Sequence, residues 1–246
     1  MAFFSIGGLH PLTAIDFPGH ASALVFTQGC NFHCPYCHNK GLVPLAAEAR
    51  DRPDVDEVLA FLQKRRGLLS GVVISGGEPC IQEGLRDFCR EVKGMGFALK
   101  LDTNGSHPEV LANLLAEGLL EYVAMDVKAP LASAPLEGSA YSPGLCGADA
   151  IAALGQSMAL LSATHVAHEF RTTCVEPFVT ADNLVLIAET VAQHCPGTKP
   201  FPWYLQKAVL PGGNGPDSPL RPLPPEAMHR ALPRLGSIVP GVRIRE

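Results

Sequence analysis

"GVVISGGEP", residues 71–79, sets a short uninterrupted apolar run directly against a Gly-Gly-Glu-Pro turn. A run without a polar face reads as a strand covered on both sides, which is the signature of a buried parallel sheet. "SALVF" (22–26), "FALKLD" (97–102) and "YVAMDV" (122–127) read as further strands, and "HEFRTT" (168–173) and "WYLQKAV" (203–209) continue the pattern. Amphipathic stretches separate them. In "DVDEVLAFLQKRR" (54–66), Val55, Val58, Leu59 and Leu62 fall at helical spacing, and Asp54 with Glu57 predicts an N-terminal capping box. Ile81, Leu85, Phe88, Cys89 and Val92 mark a second helical face, followed by "EVLANLLAEGL" (109–119). Two more faces centre on Leu154 with Met158 and on Leu184 with Ile187. Six strands alternating with helices predict an α/β fold with a parallel sheet and right-handed crossovers. Eight such units close a barrel, whereas six form a partial (β/α)6 barrel open on one side. Such an opening admits something larger than a metabolite.

The periodic pattern spans residues 1–210 as one domain, with residues 1–20 as an N-terminal extension. Eleven of the 22 prolines lie between Pro196 and Pro240. That density predicts a proline-rich extension over 211–246, packed on the same domain and too broken for two further regular βα units. "GVRIR" (241–245) is the candidate edge strand, and Gly212-Gly213-Asn214-Gly215 reads as a turn. The 246 residues are 47% hydrophobic and 17% charged, with a net charge of −5. No basic surplus points to a nucleic acid. The N-terminal stretch lacks a basic region followed by a long apolar one, and no run approaches the roughly 18 residues of a membrane span. Eight cysteines without a disulfide-type spacing fit reduced thiols in a cytoplasmic protein.

In parallel α/β folds the chemistry gathers at the carboxyl ends of the strands. Here those ends carry unusual polar residues: the cysteines after the first strand, Gly76-Gly77-Glu78-Pro79 after the second, and Asp102-Thr103-Asn104 after the third. Asp126 with Lys128, and then Arg171, mark the fourth and fifth. Asn104-Gly105 alone would signal a hairpin, but Ser106 and Glu109 predict a helix cap instead.

"GCNFHCPYCHNK" (29–40) packs Cys30, Cys34 and Cys37 into a C-x3-C-x2-C pattern with no fourth cysteine nearby. A structural zinc site needs a fourth ligand, for which His33 or His38 could be drawn in. His38 directly follows Cys37, however, and there is no second ligand pair. The other reading is a 4Fe–4S cluster held by three thiolates, so that one iron keeps open coordination sites. The remaining cysteines, Cys80, Cys89, Cys146, Cys174 and Cys195, stand singly and read as small apolar fillers. Cys80, next to the Gly-Gly-Glu-Pro turn, could also be a redox-sensitive point.

The cysteine pattern followed by "GGEP" resembles the radical S-adenosylmethionine (SAM) enzymes. "CNFHCPYCHN", "SGGEP", "LDTNG", "MDVK" and "RTT" together resemble the glycyl-radical-enzyme activases. "IDFPG", "VFTQGC" and "WYLQ" bring the chain nearest to the longer activating proteins of anaerobic ribonucleoside-triphosphate reductase. The resemblance runs in order over roughly residues 6 to 210 and implies one 4Fe–4S cluster on Cys30, Cys34 and Cys37, with SAM chelating the fourth iron. It implies that Gly76, Gly77, Glu78 and Pro79 form the motif for the methionine amine, and that Tyr36 and the His38 backbone lie by the adenine. Asp102, Thr103 and Asn104 would face the ribose, with a monovalent cation allowed near Asp102 and Asp126. Asp126, Lys128 and Arg171 would approach the methionine carboxylate. The implied reaction is reductive cleavage of SAM to a 5′-deoxyadenosyl radical, which takes a hydrogen atom from a glycine of a partner enzyme. A flavodoxin- or ferredoxin-type donor would supply the electron. Activation of another glycyl-radical enzyme, or action on a small molecule, are the alternatives. No cysteine-rich insertion follows residue 40, so additional ferredoxin-like clusters are not expected.

Overall fold

The computed structural model describes residues 4–45, 52–131, 139–141, 146, 150–196, 200–210 and 218–245. Its strands are β1 (Ile6–Thr13), β2 (Ser22–Thr27), β3 (Gly71–Gly76), β4 (Ala98–Thr103), β5 (Tyr122–Asp126), β6 (Ala167–Glu176), β7 (Trp203–Lys207), β8 (Arg221–Pro222) and β9 (Val242–Arg245). Between them lie α1 (Val55–Lys64), α2 (Leu85–Gly94), α3 (Pro108–Ala116), α4 (Ala150–Ala163), α5 (Asn183–His194) and α6 (Pro225–Ile238). Hydrogen bonding orders the strands β1-β2-β3-β4-β5-β6-β7-β9, with β8 on β6. The ladders β2–β3, β3–β4, β6–β7 and β7–β9 are parallel. This is an α/β fold whose parallel sheet does not close into a barrel, and all six strands expected from the sequence are present.

Three elements were not expected, β1, β8 and α6, whereas β9 is the edge strand that "GVRIR" predicts. The N-terminal extension contains β1, antiparallel to β2. Its "IGGLHPLT" carries two glycines and a proline, which a strand tolerates at a sheet edge. The proline-rich C-terminal segment holds α6 and then β9, which together form one further regular unit. Pro225 opens the helix, where the missing N–H costs nothing, and Pro233 lies on its exposed side. The Gly212–Gly215 turn lies outside the described residues.

The chain divides into two compact units. The first comprises the described residues of Met1–Asn31, Asn39–Thr103 and Glu109–Ala124. Val72, Val73 and Ile74 of β3 are wholly buried there, as their all-apolar run requires. Leu99 and Leu101 of β4, Val58 and Leu62 of α1 and Phe88 and Val92 of α2 complete its core. Each such side chain contributes about 1.5–3 kcal/mol on burial. Asp54 caps α1 as expected: its Oδ1 accepts from the Glu57 N–H at 2.8 Å, and its own N–H donates to Glu57 Oε2 at 2.9 Å.

The second unit comprises the described residues of Phe32–His38, Asn104–Pro108 and Met125–Glu246. Trp203 is fully buried, and its Nε1–H donates to Thr172 Oγ1 at 3.0 Å. Thr172 in turn donates to the Val127 carbonyl at 2.7 Å, so no polar atom of this pair is left unsatisfied by burial. Phe170 and Leu205 pack in the same core with Leu154, Met158, Ile187 and Leu235 from three helices.

Candidate active site

In the first unit the cysteine segment leaves β2 through Gln28, Gly29 and Cys30. Gly29 adopts φ +99°, a left-handed conformation that favours glycine. Its N–H donates to the Leu42 carbonyl at 2.8 Å, and the Cys30 N–H donates to the Val43 carbonyl at 3.0 Å. The buried Gln28 amide donates to the carbonyls of Gly41 and Pro44. The neck of the segment is thereby closed by main-chain and amide hydrogen bonds. Gln82 ties this neck to the N-terminal strand region: its Nε2 donates to the Gln28 carbonyl at 2.7 Å, and its Oε1 accepts from the Ser5 N–H at 3.0 Å.

The Gly-Gly-Glu-Pro turn is fitted against the same neck. Gly77 N–H donates to the Thr27 carbonyl at 3.0 Å, and Glu78 N–H to the Gly29 carbonyl at 2.8 Å. A Cβ on Gly77 would stand 1.9 Å from the Gly29 carbonyl oxygen, and one on Gly76 2.3 Å from the Thr27 nitrogen. Both glycines are therefore demanded by backbone packing within the protein itself. Glu78 is 1% exposed. Its Oε1 accepts from Thr103 Oγ1 at 2.7 Å and from the Cys80 N–H at 3.0 Å. Pro79 is buried in the short 3₁₀ turn that follows. Burial, reinforced by the Glu78 charge, pushes the Cys80 thiol well above its ordinary value. It stays protonated and shielded, which does not suit a redox-sensitive point.

Asp102 accepts from Ser75 Oγ at 3.3 Å and pairs with Lys100 Nζ at 3.0 Å. Lys100 is 3% exposed and also donates to the Asp16 carbonyl, in the "IDFPG" stretch. Lysine in the middle of an apolar strand needs such partners, since a buried ammonium without them is costly. The lone Lys in "FALKLD" was the available signal for this contact. Gln28 and Gln82 gave no such signal.

In the second unit, Cys37 N–H donates to the Cys34 carbonyl at 3.0 Å in a tight turn. Burial pushes the Cys34 thiol up, while the nearby Lys128 ammonium pulls it down. Tyr36 is buried against Phe178, with ring centroids 5.5 Å apart. Its hydroxyl has no hydrogen-bond partner among the described residues. His38 is exposed. Asp126 accepts from Arg171 Nε at 2.9 Å and from Lys128 Nζ at 2.8 Å. Burial alone would raise the Asp126 carboxyl, but Arg171 and Lys128 outweigh it and hold the group well below the usual carboxylate range. Burial works against the Lys128 ammonium, yet Asp126 keeps it charged far above neutral pH. Tyr141, fully buried, accepts the Lys128 N–H at 2.6 Å. Asn104 turns back on its own segment, its Oδ1 accepting from the Ser106 N–H at 2.9 Å and from Ser106 Oγ at 2.6 Å.

All eight cysteines are free thiols. Cys30, Cys34 and Cys37 are part-exposed, and the other five are buried. Among the described residues no three His, Cys, Asp or Glu side chains are drawn together closely enough to hold a metal ion. The donor chemistry nevertheless suits an iron–sulfur cluster: three accessible thiols on one short segment, with every other thiol withdrawn into a core. Among the described residues no helix is long and apolar enough to cross a membrane.

Residues 24–132 match the radical SAM superfamily. The chain is 41% identical over 127 residues to a Methanocaldococcus jannaschii protein provisionally named as a glycyl-radical enzyme activating enzyme, covering 50% of each chain. It is 33% identical over 132 residues to the 7-carboxy-7-deazaguanine synthase of Methanopyrus kandleri, covering 46% of this chain and 52% of that one. The chain thus spans about half the length of the curated relatives it matches. Among solved structures, QueE from Escherichia coli superposes with a TM-score of 0.59 at 16% identity, covering 99% of this chain and 94% of that one. Streptococcus suis SuiB gives a TM-score of 0.62 at 9% identity, covering 89% and 47%. At these identities the superpositions speak to the fold alone.

Proposed function

We propose, from the match of residues 24–132 to the radical SAM superfamily, that the protein is an activase that generates a glycyl radical on a partner enzyme. The observation carrying this reading is the 41% identity to a protein named as such an activating enzyme, over a stretch of 127 residues. The partner we assign is an anaerobic ribonucleoside-triphosphate reductase, on the strength of "IDFPG", "VFTQGC" and "WYLQ". A flavodoxin- or ferredoxin-type protein would deliver the electron, in a cytoplasmic setting.

Cys30, Cys34 and Cys37 would hold a 4Fe–4S cluster, which the radical SAM family implies together with SAM. When bound, these cofactors supply one-electron cleavage of a carbon–sulfur bond, yielding a radical able to take a hydrogen atom. The chain's own part is to bind and orient. Glu78 keeps its carboxylate fixed by the Thr103 hydroxyl and the Cys80 N–H, as a holder for the ammonium group of SAM needs. Lys128 and Arg171 bring two cations to one carboxylate, Asp126, and the surplus positive charge suits the SAM carboxylate. The unsatisfied, buried Tyr36 hydroxyl is the type of atom that a bound nucleoside completes. Gly76, Gly77 and Pro79 shape the Glu78 turn, and the His38 backbone, Asp102, Thr103 and Asn104 stand as the remaining nucleoside-side candidates. Asp102 and Asp126 each already have a cationic side chain as partner, which gives an added monovalent cation little to bind.

The test is to incubate the reconstituted, reduced protein with SAM and the reductase without oxygen. A glycyl doublet should appear in the electron paramagnetic resonance spectrum of the reductase. If pyruvate formate-lyase gains the doublet and the reductase does not, the partner assignment is wrong. The second reading, action on a small molecule, is favoured by the 33% identity to the deazaguanine synthase. Turnover of a small substrate without any protein radical would establish it in place of the activase.

A further inference from the structure

The stretch "IDFPG" (15–19) lies in the connection from β1 to β2, within the first unit. Ile15 is exposed, whereas Phe17, two residues on, is buried. Phe17 packs where Gly71 opens β3: a Cβ on Gly71 would stand 2.8 Å from the Phe17 ring. His20 and Tyr122 flank the same ring, with centroids 4.2 and 6.2 Å away. The Asp16 carboxylate is engaged within its own loop. Its Oδ2 accepts from Thr13 Oγ1 at 2.5 Å, and the Ile15 N–H donates to that same hydroxyl at 3.3 Å. With Phe17 seated and Asp16 latched, the Asp16 carbonyl is held in one place. It accepts from Lys100 Nζ at 2.5 Å.

Lys100 and Asp102 are two apart on β4, so both side chains leave the same side of the sheet. Leu99 and Leu101, on the other side, are wholly buried. The Lys100 ammonium lies 3.0 Å from Asp102 Oδ1 and 5.7 Å from the centre of the Tyr122 ring. The other carboxylate oxygen, Asp102 Oδ2, accepts from Ser75 Oγ at 3.3 Å. Contacts on both oxygens fix the plane of a carboxylate as well as its position. The two side chains differ in access: that of Lys100 is 4% exposed and that of Asp102 14%. A ligand at this strand end can meet Asp102, but Lys100 is withdrawn. If closing the core were the only need, a methionine would fill the same room with no ammonium to desolvate. What the lysine adds is a fixed charge on Asp102.

We propose that Lys100 is a positioning residue for SAM, and that "IDFPG" is the loop that holds it. The ammonium, set by the Asp16 carbonyl, orients Asp102 before the nucleoside arrives. A binding side chain keeps its productive angle only when the groups behind it are themselves fixed. The inference rests on the reading of Asp102 as a nucleoside-side residue and adds the device that aims it. Three links run from loop to ligand: Thr13 to Asp16, Asp16 to Lys100, and Lys100 to Asp102.

The test is a double-mutant cycle read as the SAM dissociation constant of the reconstituted protein. Asp102→Asn and Lys100→Met should each raise it about tenfold, the scale of one hydrogen bond to a charged group. The double variant should be no worse than the weaker-binding single, because Lys100 acts only through Asp102. Iron content should hold throughout. A lysine that merely supports the fold gives another pattern. Lys100→Met then loses stability, and its SAM affinity either stays at the wild-type value or the two single effects multiply in the double variant. Either result overturns the proposal while Asp102 keeps its place in the site. If Asp102→Asn binds SAM like the wild type, Asp102 leaves the site and the positioning role goes with it. If the wild type itself does not bind SAM, the functional reading falls. Should Lys100→Met fail to fold, Thr13→Val unlatches Asp16 and keeps both charges. It should bind SAM about threefold more weakly, with no further loss in the Asp102→Asn background. Wild-type affinity in Thr13→Val would then overturn the proposal.

Discussion

Glu78 combines nearly complete burial with a carboxylate oxygen already used by Thr103 Oγ1 and the Cys80 N–H. The sequence pointed to Glu78 through its glycine neighbours, but it assigned Thr103 to the ribose. The contact between them depends on the parallel register of β3 and β4, which sets the two strand ends side by side. Spacing along one chain cannot reveal that register. Thr103 is therefore best tested as a positioning residue. Thr103→Val should raise the SAM dissociation constant about tenfold, the scale of one lost hydrogen bond to a charged group. Thr103→Ser should restore it, and Glu78→Ala should be worse than either. Iron content should hold in all three. Unchanged SAM affinity in Thr103→Val would leave the hydroxyl with no part in the site.

Among the elements, β2, β3 and β5 were legible because each is short and largely apolar, and α1 because its cap and its period agree. The exceptions have physical reasons. β1 contains two glycines and a proline and survives as an edge strand because it pairs with β2 on one side. α6 was hidden by proline density, although Pro225 sits where a helix accepts it. The Gly-Gly-Glu-Pro turn was located correctly for a reason that proved incomplete. Its glycines are needed where β3 meets the end of β2, whatever else they approach. Gly77→Ala would force a methyl to within 1.9 Å of the Gly29 carbonyl oxygen. That clash is between backbone segments, so we expect a loss of about 2 kcal/mol or more in chemical denaturation. Gly94→Ala, at a helical position with open space around it, should be neutral or slightly stabilising. Equal stability of the Gly77 variant and the wild type would contradict the packing described.

Over the whole molecule, the cysteines sort themselves by exposure. Three are accessible and five are buried, and the accessible three are those of the C-x3-C-x2-C pattern. Burial also pushes Cys89, Cys174 and Cys195 up to about 12 and Cys146 to about 11. A raised thiol is protonated at about pH 8 and reacts slowly. Iodoacetamide should therefore label Cys30 and Cys37 first in the folded, metal-free protein and Cys34 more slowly, its thiol also being raised by burial, with the other five labelled only in denaturant. Anaerobic iron–sulfur reconstitution should protect the same three. Early labelling of Cys80 would contradict its burial. The sorting was legible in the sequence because clustered cysteines and scattered ones obey different needs. The link from Lys100 to the Asp16 carbonyl was legible only in half: a lone Lys in an apolar strand signals a need for partners, but not that one of them comes from the loop between β1 and β2. The closed neck at Gln28–Cys30 and Gly41–Pro44 has a consequence for how such a chain can change over time. Its bonds come mainly from the backbone, so they survive substitution anywhere between the two sides. A lineage could lengthen the segment, or rewrite its residues other than Cys34, Tyr36, Cys37 and His38, without renegotiating the bonds that close it, which leaves room for change around a fixed ligand set.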